Sequence, residues 1–282
     1  MCVRLVWRVA TCKGAARRAK PEVGRRAEHH VSCHGAFGAS IAALSHDPAS
    51  GLAAHRTPRT SHGARADALL AFLHTQHVCV VGGGNSTPIF AALAADAGHT
   101  VSILTRRPSE WDANDIGFLN DDMGYCDGKP ELRTKIALVT ADPAECIPQA
   151  DLIFIAGLPI HHNPEVLKKI RPHMDMTKLV YVGSICAYGG FNWVASEALG
   201  PGNYSLFGTQ LIPWCCGTKE YGRTGHVFGA KRLLRIATEG GEDKDGVKPI
   251  MAKILKMPFL TDTDFIASTL WCADRLQSRL LG

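Results

Sequence analysis

Residues 78–87 read VCVVGGGNST, and this stretch constrains the fold more than any other in the chain. The apolar, mostly β-branched residues at 77–81 are typical of a buried parallel strand. Residues 89–97 repeat apolar side chains at helical spacing and precede Gly98, a plausible helix end. Residues 101–104 predict a second buried strand. The order of strand, glycine turn, helix and strand predicts a βαβ unit.

The glycines have the spacing Gly82-x-Gly84-x-x-Thr87, which is typical of a turn that binds a dinucleotide pyrophosphate. The first glycine permits the tight turn, the second lets backbone approach the phosphates, and the third position is usually small because helix packs on strand there. The helix N-terminus adds free N–H groups. The alternative is a glycine turn without a ligand. The predicted phosphate-binding residues are Gly82, Gly83, Gly84, Asn85, Ser86 and Thr87.

The end of the second strand bears on the choice of cofactor. An NAD site usually carries Asp or Glu there to bind the ribose 2′-hydroxyl. The sequence instead reads Thr105-Arg106-Arg107, with no carboxylate before Glu110. Two arginines are suited to a 2′-phosphate, and Thr105 can bond that phosphate or a ribose hydroxyl. The pattern therefore favours NADP, with NAD as the alternative; both arginines could instead face solvent.

Further elements extend the sheet. Residues 116–119 and 131–139 predict a hairpin with Asp127-Gly128 in its turn. A helix is predicted from about 163 to 170, with Asn163 as its cap. The alternation of strands and helices predicts a doubly wound, mostly parallel α/β sheet of the Rossmann type. A short helix is predicted at 140–146, and buried strands at 151–156, 179–182 and 204–208.

Ligands bind such sheets outside the carboxyl ends of the strands. Leu158 and Pro159 follow one predicted strand and Ser184 ends another, so we predict all three beside the cofactor. For Ser184, an ordinary strand-end turn is the alternative. His161 and His162 either polarise a substrate or are loop residues.

Composition narrows the partners. The chain has ten cysteines but no C-x-x-C pair, so no metal site is predicted. The adjacent Cys215 and Cys216 are either a redox pair or two thiols of a buried turn. The absence of long apolar runs predicts no membrane span. Residues 66–282 carry 20 Lys/Arg against 23 Asp/Glu, which is not the charge of a nucleic-acid surface. Small-molecule substrates are expected, and the oligomeric state is left open.

Residues 1–75 read differently. The first 65 carry 11 Lys/Arg against 3 Asp/Glu and show no sustained helical or strand period. They predict a disordered basic leader, although residues 66–74 could form a short helical turn. The scattered thiols favour a cytoplasmic location. The Arg-rich, acid-poor leader leaves a mitochondrial transit peptide as the alternative.

Two segments together resemble a known family. VCVVGGGNST resembles the G-G-G-N-G-A segment of the opine dehydrogenases, octopine dehydrogenase among them, and PWCCGTKEYG at 213–222 resembles their P-W-A-C-R-I-K-E-Y-G segment. Gly229-Ala230-Lys231 resembles their G-x-K. Order and spacing agree from about residue 77 to about residue 272. The resemblance implies an NAD(P)-binding Rossmann domain. It also implies a reductive condensation in which an amino acid and a 2-oxo acid form an imine that hydride reduces.

The chain departs from that pattern in both segments. Ser86 and Thr87 stand where the family has Gly-Ala, which we expect to narrow the room beside the pyrophosphate. Gly217 stands where the family has arginine, so a charged contact is lost. Lys219 either binds a substrate carboxylate or is a surface lysine.

In the family, a second, mostly helical domain supplies a catalytic histidine in an H-P motif, oriented by an aspartate. Residues 264–271 resemble the segment that leads into it, but the last histidine of this chain is His226. We therefore assign residues 76–258 to the Rossmann domain and 259–282 to the truncated start of the helical domain. No catalytic residue is assigned, and activity is left uncertain. Apolar residues left uncovered are expected at Phe259, Leu260, Phe265, Ile266 and Leu270.

Two other functions stay open at this point. One is a non-catalytic dinucleotide-binding protein that uses the same Rossmann half. The other is a 2-oxo acid reductase similar to ketopantoate reductase, which shares the glycine turn and the arginine pair. The segment at 213–222 argues against the second.

Overall fold

The computed structural model describes residues 75–187 and 190–268. The predictions for residues 1–74 and for Leu270 lie outside these ranges. The strands are β1 (His77–Gly82), β2 (Thr100–Leu104), β3 (Ile116–Asn120), β4 (Glu131–Thr134), β5 (Leu138–Thr140), β6 (Leu152–Gly157), β7 (Val180–Ser184), β8 (Tyr204–Thr209), β9 (Trp214–Glu220), β10 (Thr224–Ala230), β11 (Leu234–Glu239) and β12 (Phe259–Thr263). The α-helices are α1 (Ser86–Asp96), α2 (Pro143–Cys146), α3 (Asn163–Ile170), α4 (Phe191–Leu199) and α5 (Val247–Leu255).

A large sheet of eight strands has the order β12-β11-β8-β7-β6-β1-β2-β5. The six strands from β8 to β5 all run parallel to their neighbours. The apolar side chains of β1, β2, β6 and β7 are buried on both faces, as parallel strands require. The chain moves outward from β1 through β2 to β5 and then returns to β6 on the other side of β1. This order confirms the predicted Rossmann-type sheet, and its switch point lies between β1 and β6.

A second sheet has the order β4-β3-β10-β9. Helix α1 lies between the two sheets, and nine of its eleven residues are buried. It therefore has no polar face, unlike a helix at the surface. The approach is close because Gly225 of β10 has no side chain: a β-carbon there would lie 2.6 Å from Cγ1 of Ile89.

The predicted hairpin forms within the second sheet. Strand β4 pairs antiparallel with β3, with Ile116 opposite Thr134. The predicted extended segment at 131–139, however, divides between the two sheets, because β5 pairs parallel with β2 at the edge of the large sheet. The backbone between them is held by Ile136, whose N–H bonds to Ala113 O at 2.8 Å.

Two local predictions differ from the structure. Asn163 does not cap α3 but is its first residue, with helical φ −55° and ψ −45°; its Oδ1 is buried without a partner among the described residues. Cys215 and Cys216 lie on strand β9 rather than in a buried turn, and Cys215 is exposed.

The segment that begins at residue 259 also differs. Residues Phe259–Thr263 form strand β12, which pairs with β11 as an edge strand of the large sheet. Phe265 is buried, with its ring centroid 6.3 Å from that of Phe191, whereas Leu260 and Ile266 are exposed. Four further strands, β9 to β12, follow the strand predicted at 204–208 within the described ranges. Within the described ranges, every helix is too short or too polar to span a bilayer.

Candidate functional site

A cleft of about 510 Å³ opens at the carboxyl ends of β1, β2 and β6, at the switch point of the sheet. One wall is the glycine turn, the second is the end of β2, and the third is one side of α3 along its length. The lining residues are Val81, Gly82, Gly83, Gly84, Leu104, Thr105, Arg106, Arg107, Ala141, Gly157, Leu158, Pro159, His162, Glu165, Val166, Lys169, Ile170 and Tyr221.

The glycine turn is packed against the end of β6. Gly82 has φ +124°, and a β-carbon there would lie 2.7 Å from the carbonyl carbon of Gly157. The N–H of Gly84 donates to Gly157 O at 3.1 Å, and a β-carbon on Gly84 would lie 2.8 Å from the same oxygen. Glycine is therefore required at both positions, the first for its backbone conformation and both for the close approach.

Thr87 fits for a related reason. Its side chain is completely buried, and a β-carbon on Gly157 would collide with its Oγ1. The missing side chain of Gly157 thus provides the room that the family gains from a small residue at position 87. Neither Ser86 nor Thr87 lines the cleft.

Several backbone N–H groups at the start of α1 have no hydrogen-bond acceptor among the described residues, and we call these donors uncovered. The N–H of Thr87 bonds to Gly84 O at 3.1 Å, but those of Gly83, Asn85 and Ser86 have no acceptor among the described residues. The helix dipole adds partial positive charge at the same place. A set of free N–H groups at a helix N-terminus beside a glycine turn is suited to bind an anion.

The two arginines after β2 have different surroundings. The Arg107 guanidinium lies 3.1 Å from the Glu110 carboxylate and 4.5 Å from the centre of the Tyr221 ring. Arg106 is exposed and forms no ion pair with any described residue. Of the two, Arg106 is the one whose guanidinium has no ion-pair or ring contact among the described residues. Thr105 is buried beside Gly83, and its N–H bonds to Thr140 O at 2.9 Å.

Helix α3 forms the opposite wall. Lys169 Nζ lies 3.3 Å from Ala141 O, which joins this wall to the end of β5. His162 lines the cleft, with Nδ1 4.0 Å from Oε2 of Glu165, whereas His161 does not. Sequence reasoning missed Lys169. It lies two turns beyond the residues that follow β6, and only tertiary packing brings it to the cleft.

Ser184 lies elsewhere. Its Oγ bonds to the backbone of Cys186, 3.3 Å from the carbonyl oxygen and 3.4 Å from the nitrogen, and it does not line the cleft. These bonds are those of a strand-end turn, the alternative that the sequence left open, and the role of Ser184 beside a cofactor stays a prediction. Of the predicted site residues, the cleft brings together the three glycines, Thr105, both arginines, Leu158 and Pro159, but not Asn85, Ser86, Thr87 or Ser184.

The segment at 213–222 lies directly against the glycine turn. Thr218 Oγ1 donates to Asn85 Oδ1 at 2.7 Å, and Ser86 Oγ lies 3.8 Å from Cys216 Sγ. Burial raises the pKa of the Cys216 thiol. Tyr221 is the third contact, since its hydroxyl would lie 2.9 Å from a β-carbon on Gly83. The two family segments are therefore neighbours in space.

Two other predicted positions of this segment, Gly217 and Lys219, do not line the cleft. Lys219 is exposed. Gly217 lies under the Phe228 ring, which a β-carbon there would approach to 3.3 Å. Nowhere in the described ranges do His, Cys, Asp and Glu form a cluster that could hold a metal ion.

Comparison with known proteins gives consistent results. No family model matches the chain. Octopine dehydrogenase of Pecten maximus is 28% identical over 178 residues, which are 60% of this chain and 44% of that protein. A solved octopine dehydrogenase with NADH and L-arginine superposes with a TM-score of 0.62 at 22% identity, covering 69% of this chain and 50% of that one. Yersinopine dehydrogenase with NADP⁺ gives 0.54 at 13% identity, covering 69% and 49%.

The chain spans about half the length of the curated relatives that it matches. The structural likeness shows a shared Rossmann-type fold. Sequence and structure together fit the Rossmann half of an opine dehydrogenase, as the two segments implied.

Proposed function

We propose that the described residues are the dinucleotide-binding half of an NAD(P)-dependent oxidoreductase of the opine dehydrogenase type. Its reaction would join an amino acid to a 2-oxo acid by reductive condensation. The observation that carries the proposal is the glycine turn, which packs on Gly157 and leaves backbone donors uncovered beside a cleft of about 510 Å³. That volume lies within the usual range for small-molecule sites.

The residues present fit a dinucleotide. The N–H groups of Gly83, Asn85 and Ser86, which have no acceptor among the described residues, would bind the pyrophosphate. The absence of β-carbons at Gly82 and Gly84 keeps the turn close to Gly157. Adenine would lie between apolar walls from β2, the loop after β5 and α3. Those walls are formed by Leu104, Ala141, Val166 and Ile170.

We propose NADP as the cofactor, with NAD as the alternative. The end of β2 has no carboxylate for a ribose 2′-hydroxyl, and the free guanidinium of Arg106 is suited to a 2′-phosphate. Arg107 has a different role in this proposal: it packs on Tyr221 and holds the second sheet at the rim of the cleft. The cleft does contain one carboxylate, that of Glu165, but it lies on the opposite wall from β2 and its side chain is 85% exposed.

In this proposal, the glycine turn and the residues after β6 would hold a reduced nicotinamide dinucleotide, which would supply the hydride for reduction of the imine. The chain binds and orients the cofactor, and Leu158 and Pro159 form the part of the rim that follows β6. We assign the proton-transferring group to no described residue. His162 lines the cleft, but its side chain is 39% exposed and pairs only with the more exposed Glu165.

The test is calorimetric titration of the 282-residue protein with NADPH and with NADH. Binding of either one supports the proposal, and tighter binding of NADPH supports the cofactor choice. A folded protein that binds neither would overturn both.

Oxidation of the bound reduced cofactor then separates the functions. Oxidation that needs both a 2-oxo acid and an amino acid supports the opine dehydrogenase reaction. Oxidation with the 2-oxo acid alone supports a 2-oxo acid reductase. Binding without oxidation under either condition supports a non-catalytic dinucleotide-binding protein.

A further inference from the structure

Lys169 lines the cleft from helix α3 and has no acidic partner. Glu165 precedes it by four residues, the spacing at which glutamate and lysine commonly pair on a helix surface. No ion pair joins these two side chains, and within the described ranges no carboxylate lies within 4.0 Å of the Lys169 ammonium. Its Nζ lies instead 3.3 Å from Ala141 O, in the loop after β5 that also lines the cleft. Two of its three N–H groups therefore have no partner among the described residues.

The carbonyl group that holds Lys169 lies beside the end of β2. The N–H of Thr105, the first residue after β2, donates to the oxygen of Thr140, the last residue of β5, at 2.9 Å. Ala141 and Arg106 follow directly on the two chains, and neighbouring strands are about 4.8 Å apart. The Lys169 ammonium therefore lies at the strand ends from which the Arg106 side chain leaves the sheet.

The charge of a 2′-phosphate calls for more than one cation at this place. A phosphate monoester carries about −1.5 to −2 charges at pH 7. The guanidinium of Arg107 is already paired with Glu110, so Arg106 alone would leave part of that charge uncompensated. A lysine ammonium binds phosphate as a point charge, and Lys169 is exposed and lines the same cleft.

We propose that Lys169 is a specificity-determining residue that binds the 2′-phosphate of NADP together with Arg106, one cation from α3 and the other from the end of β2. The inference rests on the proposed function of the cleft and deepens it, because it extends the phosphate site to both walls. NAD carries a neutral hydroxyl at the same place and would gain little from a second cation.

Calorimetric titration of a Lys169→Gln variant of the 282-residue protein tests the inference. Glutamine keeps a donor for Ala141 O and removes the charge. We expect NADPH to bind about tenfold more weakly, the effect of losing one charge-assisted hydrogen bond, and NADH to bind as before. Lys169→Arg keeps the charge and should keep the preference for NADPH.

Lys168→Gln is the matched control. Lys168 is the preceding residue of the same helix, is exposed and does not line the cleft, so its loss changes the net charge equally without touching the site. It should alter the affinity for neither cofactor.

A smaller pair of ligands isolates the 2′-phosphate. Adenosine 2′,5′-bisphosphate and adenosine 5′-monophosphate differ only in that group. In Lys169→Gln the first should lose about as much affinity as NADPH does, and the second should lose none. A merely structural role of Lys169 in joining α3 to the loop after β5 would weaken both ligands.

The inference is overturned by unchanged NADPH affinity in Lys169→Gln, by equal losses for NADPH and NADH, or by the same loss of NADPH affinity in Lys168→Gln. A wild type that prefers NADH would also overturn it and leave the dinucleotide site standing. Failure of the proposed function looks different, since a folded wild type would then bind neither NADPH nor NADH, and this inference would fall with it.

Discussion

The carboxyl ends of β1 and β7 lie in the same sheet, on either side of β6, and differ in how their polar groups are used. At β7, Ser184 Oγ bonds to the backbone of Cys186, the N–H of Ile185 to Ile155 O at 3.0 Å, and Thr209 Oγ1 to Ile185 O at 2.5 Å. At β1, the N–H groups of Gly83, Asn85 and Ser86 have no acceptor among the described residues. A polar strand end whose groups are satisfied internally supports the fold, whereas one with uncovered donors is a candidate for a ligand.

The largest effect should come from closing the glycine turn. A β-carbon on Gly157 would collide with Thr87 Oγ1 and lie 2.5 Å from Gly84 N. We expect Gly157→Ala to lower the free energy of unfolding by about 2–3 kcal/mol and to abolish dinucleotide binding. Urea unfolding and calorimetry measure the two effects. Gly229→Ala is the matched control, because nothing lies within 4 Å of its β-carbon position. A Gly157→Ala protein as stable as this control would contradict the packing described for the turn.

The next largest effect should come from the two arginines, whose alanine variants should differ in how they change NADPH and NADH binding. Arg106→Ala should weaken NADPH binding by about 10- to 100-fold, the effect of losing a charge-assisted bond, and leave NADH binding nearly unchanged. Arg107→Ala should weaken NADPH and NADH alike and by less, because its guanidinium is engaged by Glu110 and Tyr221. Dissociation constants of both cofactors for both variants decide this. Equal losses for NADPH and NADH in Arg106→Ala would remove the argument for NADP.

Ser184→Ala tests the satisfied strand end. It should lower the free energy of unfolding by about 1 kcal/mol, since one hydrogen-bonded hydroxyl is lost. The NADPH dissociation constant should stay the same, because Ser184 does not line the cleft. A clear loss of NADPH affinity with unchanged stability would mean that β7 takes part in the site after all.

The smallest effect concerns the amino ends of the parallel strands, where His99 immediately precedes β2. Burial, and then the charge of Lys253, lower its pKa, and its Nδ1 accepts from Gln76 N at 3.2 Å. As the pH falls, His99 of the unfolded chain binds a proton near pH 6.5, whereas His99 of the folded chain binds one only at a lower pH. Stability due to His99 is therefore present above about pH 6.5 and is lost as the pH falls toward the lower folded value. Urea midpoints at two pH values should show this loss, and it should be reduced in His99→Gln. An identical pH dependence in the two proteins would exclude His99 as its source.

The sequence predicted best the features that depend on residues close together in the chain, namely the secondary-structure elements and the turn between them. Strand β1, helix α1 and strand β2 have apolar periods long enough to define them, and the spacing of Gly82 and Gly84 predicted their turn. The division of residues 131–139 between two sheets was not predictable in this way, because alternation shows that a segment is extended but not which strand it pairs with.

The parts of the site that sequence reasoning missed depend on tertiary contacts. Thr87 looked too large for its position until Gly157, on another strand, was seen to provide the room. Arg106 and Arg107 look equivalent in the sequence, and only Tyr221 and Glu110 distinguish them. Tyr221 itself belongs to the segment at 213–222, so the family resemblance was the signal that could have identified it.

Helix α1 has a consequence for amide hydrogen exchange. Its body is buried between two sheets, so its amides should exchange only in rare openings of the whole structure. The amides of Asn85 and Ser86 at its start have no acceptor among the described residues and should exchange much faster. A few residues therefore separate slow from fast exchange within one helix. A bound pyrophosphate would be recorded as slower exchange of the fast amides, which makes this short segment a built-in reporter of ligand binding.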